Sequence, residues 1–201
     1  MRHIVRSAMC LFAIVSMASP ALAGNALITP GTPVSVAKSG LTVTPDREWN
    51  KLGARPGRNS ETWTLDGDEL NGLNFYGGIQ SGKTLFREVS KRTKPLPHFS
   101  TTMLLTDIPE FLEDSYRIAL GTSLFSIDAI EPVQFLGTKA VHFVYSFRRD
   151  QEDISRKGDA TATIIGGKLF MITFEAPTVH YFGRDIESYR HLVGTARLAT
   201  L

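Results

Sequence analysis

Residues 161–174 leave few architectures open to this chain. Thr161-Ala162-Thr163-Ile164-Ile165 meets Gly166-Gly167 and resumes as Lys168-Leu169-Phe170-Met171-Ile172-Thr173-Phe174. Two β-prone runs joined by two glycines spell a tight antiparallel hairpin, because such a turn needs positive φ values that glycine reaches without a Cβ clash. Upstream, over 140–147, Val141, Phe143, Tyr145 and Phe147 alternate with His142, Val144 and Ser146, the period of a strand with one richly apolar face. Ala176-Pro177 ends the hairpin, since proline has no N–H to give the ladder. The sheet needs a cover, and the last segment supplies one. Over 184–196, Ile186, Tyr189, Val193 and Ala196 recur at helical steps with Leu192 beside them. Asp185 and Glu187 near its start and Arg190, His191 and Arg197 near its end complement the helix dipole.

The N-terminus reads differently. Arg2 and Arg6 precede an uncharged apolar run over 7–18, and Pro20-Ala21-Leu22-Ala23 supplies small residues for cleavage before Gly24. This is the pattern of a secretory signal peptide over 1–23, too short for a membrane span of roughly 20 apolar residues. The expected location is periplasmic or secreted. Cys10, the only cysteine, lies in that run and follows Ser7-Ala8-Met9, a poor context for lipid attachment. The mature chain would have no disulfide and no thiolate metal site. Charge changes as well: 22 Lys plus Arg face 20 Asp plus Glu, and removing Arg2 and Arg6 leaves 20 against 20. A balanced chain argues against a nucleic-acid partner, which needs a basic surface. The remaining 178 residues (201 less 23) suit one domain.

Residues 24–33, with Thr29-Pro30-Gly31-Thr32-Pro33, read as an extended leader to a domain over 34–201. Residues 34–37 and 41–44 suggest a small hairpin, and 45–49 turn the chain inward. Strands follow over 61–65 and 73–79, with Asp66-Gly67 and Asn71-Gly72 as turn signals. Residues 87–100 are basic, proline-containing and loop-like. Asp107-Ile108-Pro109-Glu110 is a helix start, with an N-cap aspartate, a first-turn proline and a glutamate three residues after the cap. The helix runs to about Leu120 with Ile108, Phe111, Leu112, Ser115 and Ala119 as its buried stripe, and Gly121 closes it. A strand over 125–135 and a turn at 136–139 lead back to the strand over 140–147, with a charged loop over 148–159 beyond it.

The fold class is therefore α+β, with both helices covering a central antiparallel sheet. Pro45 to Trp49, the helix after Asp107, Lys168-Leu169-Phe170-Met171-Ile172 followed by Glu175-Ala176-Pro177, and a terminal helix ending in Ala196-Arg197-Leu198 together resemble the PsbP-like superfamily in element order over 34–198. That group includes the extrinsic photosystem protein, a Ran-binding nucleotide-release factor and DcrB-like bacterial envelope proteins. The resemblance implies an antiparallel sheet flanked by helices in an α/β/α sandwich, serving as a binding or assembly module without catalysis. The superfamily shares no set of functional residues, so the resemblance assigns none to this chain.

One motif points elsewhere. Gly77-Gly78-Ile79-Gln80-Ser81-Gly82-Lys83-Thr84 fits the phosphate-loop pattern, in which backbone N–H groups around Gly77 and Gly82 would cradle phosphates, Lys83 would reach the terminal phosphates and Thr84 would bind magnesium. Such a loop requires a robust helix from Thr84 and a parallel sheet. Residues 85–94 are short and charged before Pro95 and Pro97, so a glycine-rich strand end is the competing reading. His142, on the less apolar face of its strand, and His180-Tyr181 are candidate ligand contacts. No spacing among His98, His142, His180 and His191 matches a metal motif, and no nucleophile elbow is present, so neither metal, cofactor nor catalytic residue is assigned. Trp49 and Trp63 read as core residues. The expected protein is a monomeric, exported, non-enzymatic binding module of the bacterial envelope whose partner is another envelope protein or a small ligand. A small nucleotide-binding protein is the alternative.

Overall fold

A computed structural model describes residues 24–150 and 152–199, with no account of the Ser123 side chain. The expected signal peptide and Cys10 lie outside the described residues. In chain order the elements are β1 (Ala26–Ile28), β2 (Val34–Ser35), β3 (Leu41–Val43), β4 (Trp49–Lys51), β5 (Ser60–Thr64), β6 (Gly72–Gln80), a 3-10 turn (Leu105–Asp107), α1 (Ile108–Ala119), β7 (Thr122–Phe135), β8 (Thr138–Arg149), β9 (Arg156–Ile165), β10 (Lys168–Pro177), α2 (Tyr181–Gly194) and β11 (Arg197–Leu198).

An eight-stranded sheet runs in the order β1-β4-β5-β6-β10-β9-β8-β7, and β11-β3-β2 form a small second sheet. Every pairing is antiparallel. The hairpin that dominates the sequence forms as expected, with Gly166 and Gly167 at φ +56° and +69° between Ile165 and Lys168. A second turn of the same kind, Leu136-Gly137, joins β7 to β8 with both residues at positive φ.

Alternation along the strands divides the apolar residues between two clusters. Leu169 and Met171 pack with Val141, Phe143, Tyr145, Phe147 and with Ile108, Phe111, Leu112 and Tyr116 of α1. Phe170, Ile172 and Phe174 pack with Trp49, Trp63, Leu73, Phe75 and with Ile186, Tyr189 and Leu192 of α2. Both tryptophans are core residues, as expected. In α1 Tyr116 joins Phe111 as a buried aromatic, while Ala119 is exposed. Asp107 does not cap α1 through its side chain. An extra 3-10 turn precedes the helix, and the carboxylate closes that turn by accepting the Leu104 N–H at 2.8 Å.

Four differences from the sequence reading have physical causes. The expected leader contributes β1, whose pairing with β4 buries Ile28 at the sheet edge. After the bend at 46–47 the chain forms β4, a short strand the sequence reading did not expect, which pairs with both β1 and β5. The expected charged loop shrinks because β8 runs on to Arg149 and β9 begins at Arg156. Arg156 is buried there, donating to Glu152 at 3.1 Å and to the Glu69 carbonyl. Finally, α2 begins at Tyr181 and buries Asp185, which holds Arg47 at 3.1 Å and Arg184 at 2.6 Å. These charges sit inside the fold because each has an opposite charge beside it, local for Arg156 with Glu152 and both local and distant for Asp185 with Arg184 and Arg47.

The packing is tightest at Gly158, opposite Tyr145 in the ladder. A Cβ there would lie 2.0 Å from Tyr145 Cζ. The ring cannot yield, because it stacks on Phe125 at 5.1 Å and meets Phe147 and Tyr116 at 5.9 and 6.0 Å. Gly158→Ala is expected to cost about 3 kcal/mol in urea unfolding. Gly183→Ala, at an open position in α2, is expected to add about 0.5 kcal/mol by relieving helix entropy.

Candidate functional site

The glycine-rich segment builds a wall of a cavity, and the first step is a strand irregularity. Between β6 and β10 the register shifts, with Phe170 opposite Gly77 and Leu169 opposite Ile79. Gly78 is the extra residue, at φ +71°, the conformation in which glycine makes a β-bulge. The bulge changes the phase of β6, so Tyr76 and Ile79 enter the same cluster although three residues apart. Gly77 meets a different need. A Cβ there would lie 2.2 Å from Ser39 Oγ, so its absence admits the turn that carries Lys38.

That turn is strained. Ala37 and Lys38 have φ values of +53° and +51°, each costing on the order of 1 kcal/mol for a residue with a Cβ. Buried Glu61 holds the turn in place, accepting the Ala37 N–H at 3.3 Å and the Trp63 indole N–H at 2.8 Å. The same carboxylate pairs with Lys51 at 2.9 Å and Arg55 at 3.7 Å. Arg55 begins the next wall. Its loop docks on the chain after β6 through the Arg87 N–H, which donates to the Pro56 carbonyl at 2.7 Å. Gly57 permits the contact, since a Cβ would stand 2.3 Å from the Leu85 carbonyl oxygen.

Between these walls lies a cavity of about 650 Å³ lined by Lys38, Arg55, Arg58, Lys83, Arg87 and one acid, Glu88. Glu88 pairs with Lys91 at 3.5 Å and lies 3.9 Å from His98. Among the described residues, no carboxylate lies within 4.0 Å of Lys38, Arg58, Lys83 or Arg87. Arg55 Nη1 is buried without a hydrogen-bond partner. Five cations sharing one cavity wall focus positive potential there, although the chain from residue 24 onward is electrically balanced.

The phosphate-loop expectation requires correction. No helix follows Thr84 over 85–94, and both neighbours of β6 are antiparallel. The loop's backbone donors are spent on protein: the Gly82 N–H on the Phe99 carbonyl at 2.8 Å, the Lys83 N–H on the Gln80 carbonyl at 3.0 Å. The Thr84 hydroxyl donates to the Phe86 carbonyl at 2.6 Å. Lys83 and Thr84 nevertheless line the basic cavity.

The other candidates stand apart from it. His142 is pinned between two carboxylates, Nδ1 to Glu131 at 2.8 Å and Nε2 to Asp159 at 2.8 Å, with Arg190 on Asp159 at 3.2 Å. Its hydrogen bond to Asp159 raises its pKa above the ordinary histidine value, with burial opposing. His180, exposed at φ +71°, meets the edge of Tyr181 at 5.3 Å, and Arg184 lies over that ring at 5.1 Å. On the other side of Arg55 a cavity of about 290 Å³ opens on Glu175. Burial pushes this carboxyl above its usual range, while Arg149 at 3.6 Å and the Tyr116 hydroxyl donating at 2.8 Å oppose the shift. Among the described residues no cluster of His, Cys, Asp and Glu could hold a metal ion, and no helix is long and apolar enough to cross a membrane.

No protein-family model matches the sequence, and no curated protein does. Solved structures do. The solution structure of cyanobacterial PsbP from Synechocystis sp. PCC 6803 aligns over 92% of this chain and 99% of its own, with TM-score 0.51 and 15% identity. The chain has a PsbP-like fold. A protein from Bacteroides thetaiotaomicron VPI-5482 aligns over 86% of this chain and 50% of its own, with TM-score 0.50 and 10% identity. LpqN of Mycobacterium tuberculosis, involved in cell envelope biogenesis, aligns over 88% and 91% with TM-score 0.37 and 8% identity.

On this PsbP-like scaffold the sequence reading missed Lys38, Arg55, Arg58 and Arg87. The signal available was the pair of short basic runs, 55–58 and 83–87, which only the docking of one loop on the other brings together. Lys38 separates site from scaffold experimentally. Lys38→Gly removes a cation and relieves a left-handed conformation, so unfolding experiments are expected to show a gain of about 0.5–1 kcal/mol. The same variant is expected to bind inorganic pyrophosphate more weakly, by about fivefold.

Proposed function

We propose that this protein is an exported, non-catalytic binding module of the bacterial envelope, and that it takes an anionic ligand in the basic cavity. The observation that carries the reading is the convergence of Lys38, Arg55, Arg58, Lys83 and Arg87 on one cavity, four of them exposed and, among the described residues, without a carboxylate within 4.0 Å. An anion that supplies acceptor oxygens gives these cations charge-assisted hydrogen bonds. Arginine suits the role, because its planar fork matches phosphate and carboxylate groups. Export rests on the N-terminal pattern over 1–23, and an envelope location follows from it. In this reading the sheet and its two helices form an α/β/α sandwich that serves as a rigid frame, and the loops at one end of β6 carry the site. A monomer suffices, since one chain contributes all five cations.

Calorimetric titration with inorganic pyrophosphate at low ionic strength tests the reading. Saturable binding is expected, weakened about fivefold in Arg58→Ala and in Lys83→Ala and reduced by added salt. Thr84→Ala and omission of magnesium are expected to change nothing, which separates this site from a phosphate loop. Absence of saturable binding to pyrophosphate at millimolar concentration would sink the proposal. A strict need for magnesium and Thr84 would restore the nucleotide alternative.

A further inference from the structure

The basic cavity has an apolar neighbour. A second cavity of about 450 Å³ is lined by Pro56, Phe86, Val89, Leu96, Ile118 and Leu120, with Arg87 and Lys94 among its other residues. Phe86 and Arg87 line both cavities. Each is thus a shared wall, one apolar and one cationic. The apolar cavity lies between the segment after β6 and the C-terminal end of α1, where Val89 is 95% and Ile118 36% exposed. Large apolar side chains left in water at a concave surface mark a binding site when they adjoin convergent polar groups.

We infer that the occupant is a single-chain anionic amphiphile, bound as a monomer with its phosphate or carboxylate head among Lys38, Arg58, Lys83 and Arg87 and its alkyl tail over Phe86 against Val89, Leu96, Ile118 and Leu120. The inference rests on the anion reading of the basic cavity and adds the tail. Charge complementarity selects the head. The adjacency of the two cavities across Phe86 and Arg87 sets its direction, head toward Lys83 and tail over Phe86 toward α1. A purely polar anion would leave the apolar cavity in water. A flat membrane surface would meet the exposed rim but could not enter a recess between α1 and the segment over 86–96.

Comparison of methyl phosphate, dodecyl phosphate below its micelle concentration and dodecyl maltoside, each titrated calorimetrically into the full chain, tests this. Burial of only three methylenes would strengthen binding about fiftyfold. Dodecyl phosphate is therefore expected to bind at least that much more tightly than methyl phosphate, and dodecyl maltoside to bind weakly. Val89→Asn combined with Ile118→Gln changes exposed side chains only. It is expected to lower dodecyl phosphate affinity tenfold or more and leave methyl phosphate binding unchanged. Equal affinity for methyl and dodecyl phosphate would overturn the tail and leave the basic cavity standing. Loss of all phosphate binding would overturn both. Tight dodecyl phosphate binding that ignores the two substitutions would put the tail elsewhere and refute the assignment, as would dodecyl maltoside binding equal to that of dodecyl phosphate.

Discussion

The site hangs on Glu61. Its carboxylate is 1% exposed, and a buried charge of that kind is tolerated only when its acceptor capacity is filled. Four groups fill it: the Ala37 N–H, the Trp63 indole, Lys51 and Arg55. They come from the turn beyond β2, from β5 itself, from β4 and from the loop after β4. One oxygen pair thus ties a strained turn, a core tryptophan and a cavity arginine to the centre of β5. That anchor works together with the turn's own bonds, in which the Val36 carbonyl accepts the Ser39 N–H at 3.1 Å and the Ser39 hydroxyl at 2.8 Å, to hold Ala37 and Lys38 at positive φ.

Gly77 and Gly78 belong to the same construction. Gly77 makes room for Ser39 beside the strained turn, and Gly78 supplies the bulge that shifts the phase of β6. A pattern that reads as a phosphate cradle therefore has a different physical basis. Its glycines serve strand packing, and its lysine ends on the rim of a basic cavity built mainly from other segments. The electrostatics follow the same lesson. An equal count of acids and bases describes the chain from residue 24 onward, whereas a ligand meets the field of a single cavity.

How far the sequence was legible depended on the range of the interactions involved. The hairpin at Gly166-Gly167, the strand carrying Val141, Phe143, Tyr145 and Phe147, and both helices were readable because their signals are periodic and local. β1 was not, because three residues pair with β4 only once the sheet exists. The burial of Asp159 and Asp185 was hidden because His142, Arg190 and Arg47, which pair with them, lie far away in the chain, and the start of β9 at Arg156 was hidden because its guanidinium is held by the distant Glu69 carbonyl. For the site, Lys83 and Thr84 were visible for the wrong reason. Lys38, Arg55, Arg58 and Arg87 were invisible because no spacing rule links a turn after β2 to loops after β4 and β6. His142 was visible as a polar residue on a strand, but the pair of carboxylates that immobilises it was not.

The most direct measurement is the pyrophosphate affinity of Glu61→Gln, made on protein shown by circular dichroism to be folded. Simple electrostatics says that deleting a negative charge beside a basic cavity strengthens anion binding. Anchoring by Glu61 predicts the opposite sign, a loss of about fivefold or more, because Lys38 and Arg55 lose the group that holds them in place. Unchanged or tighter binding in the folded variant would contradict it.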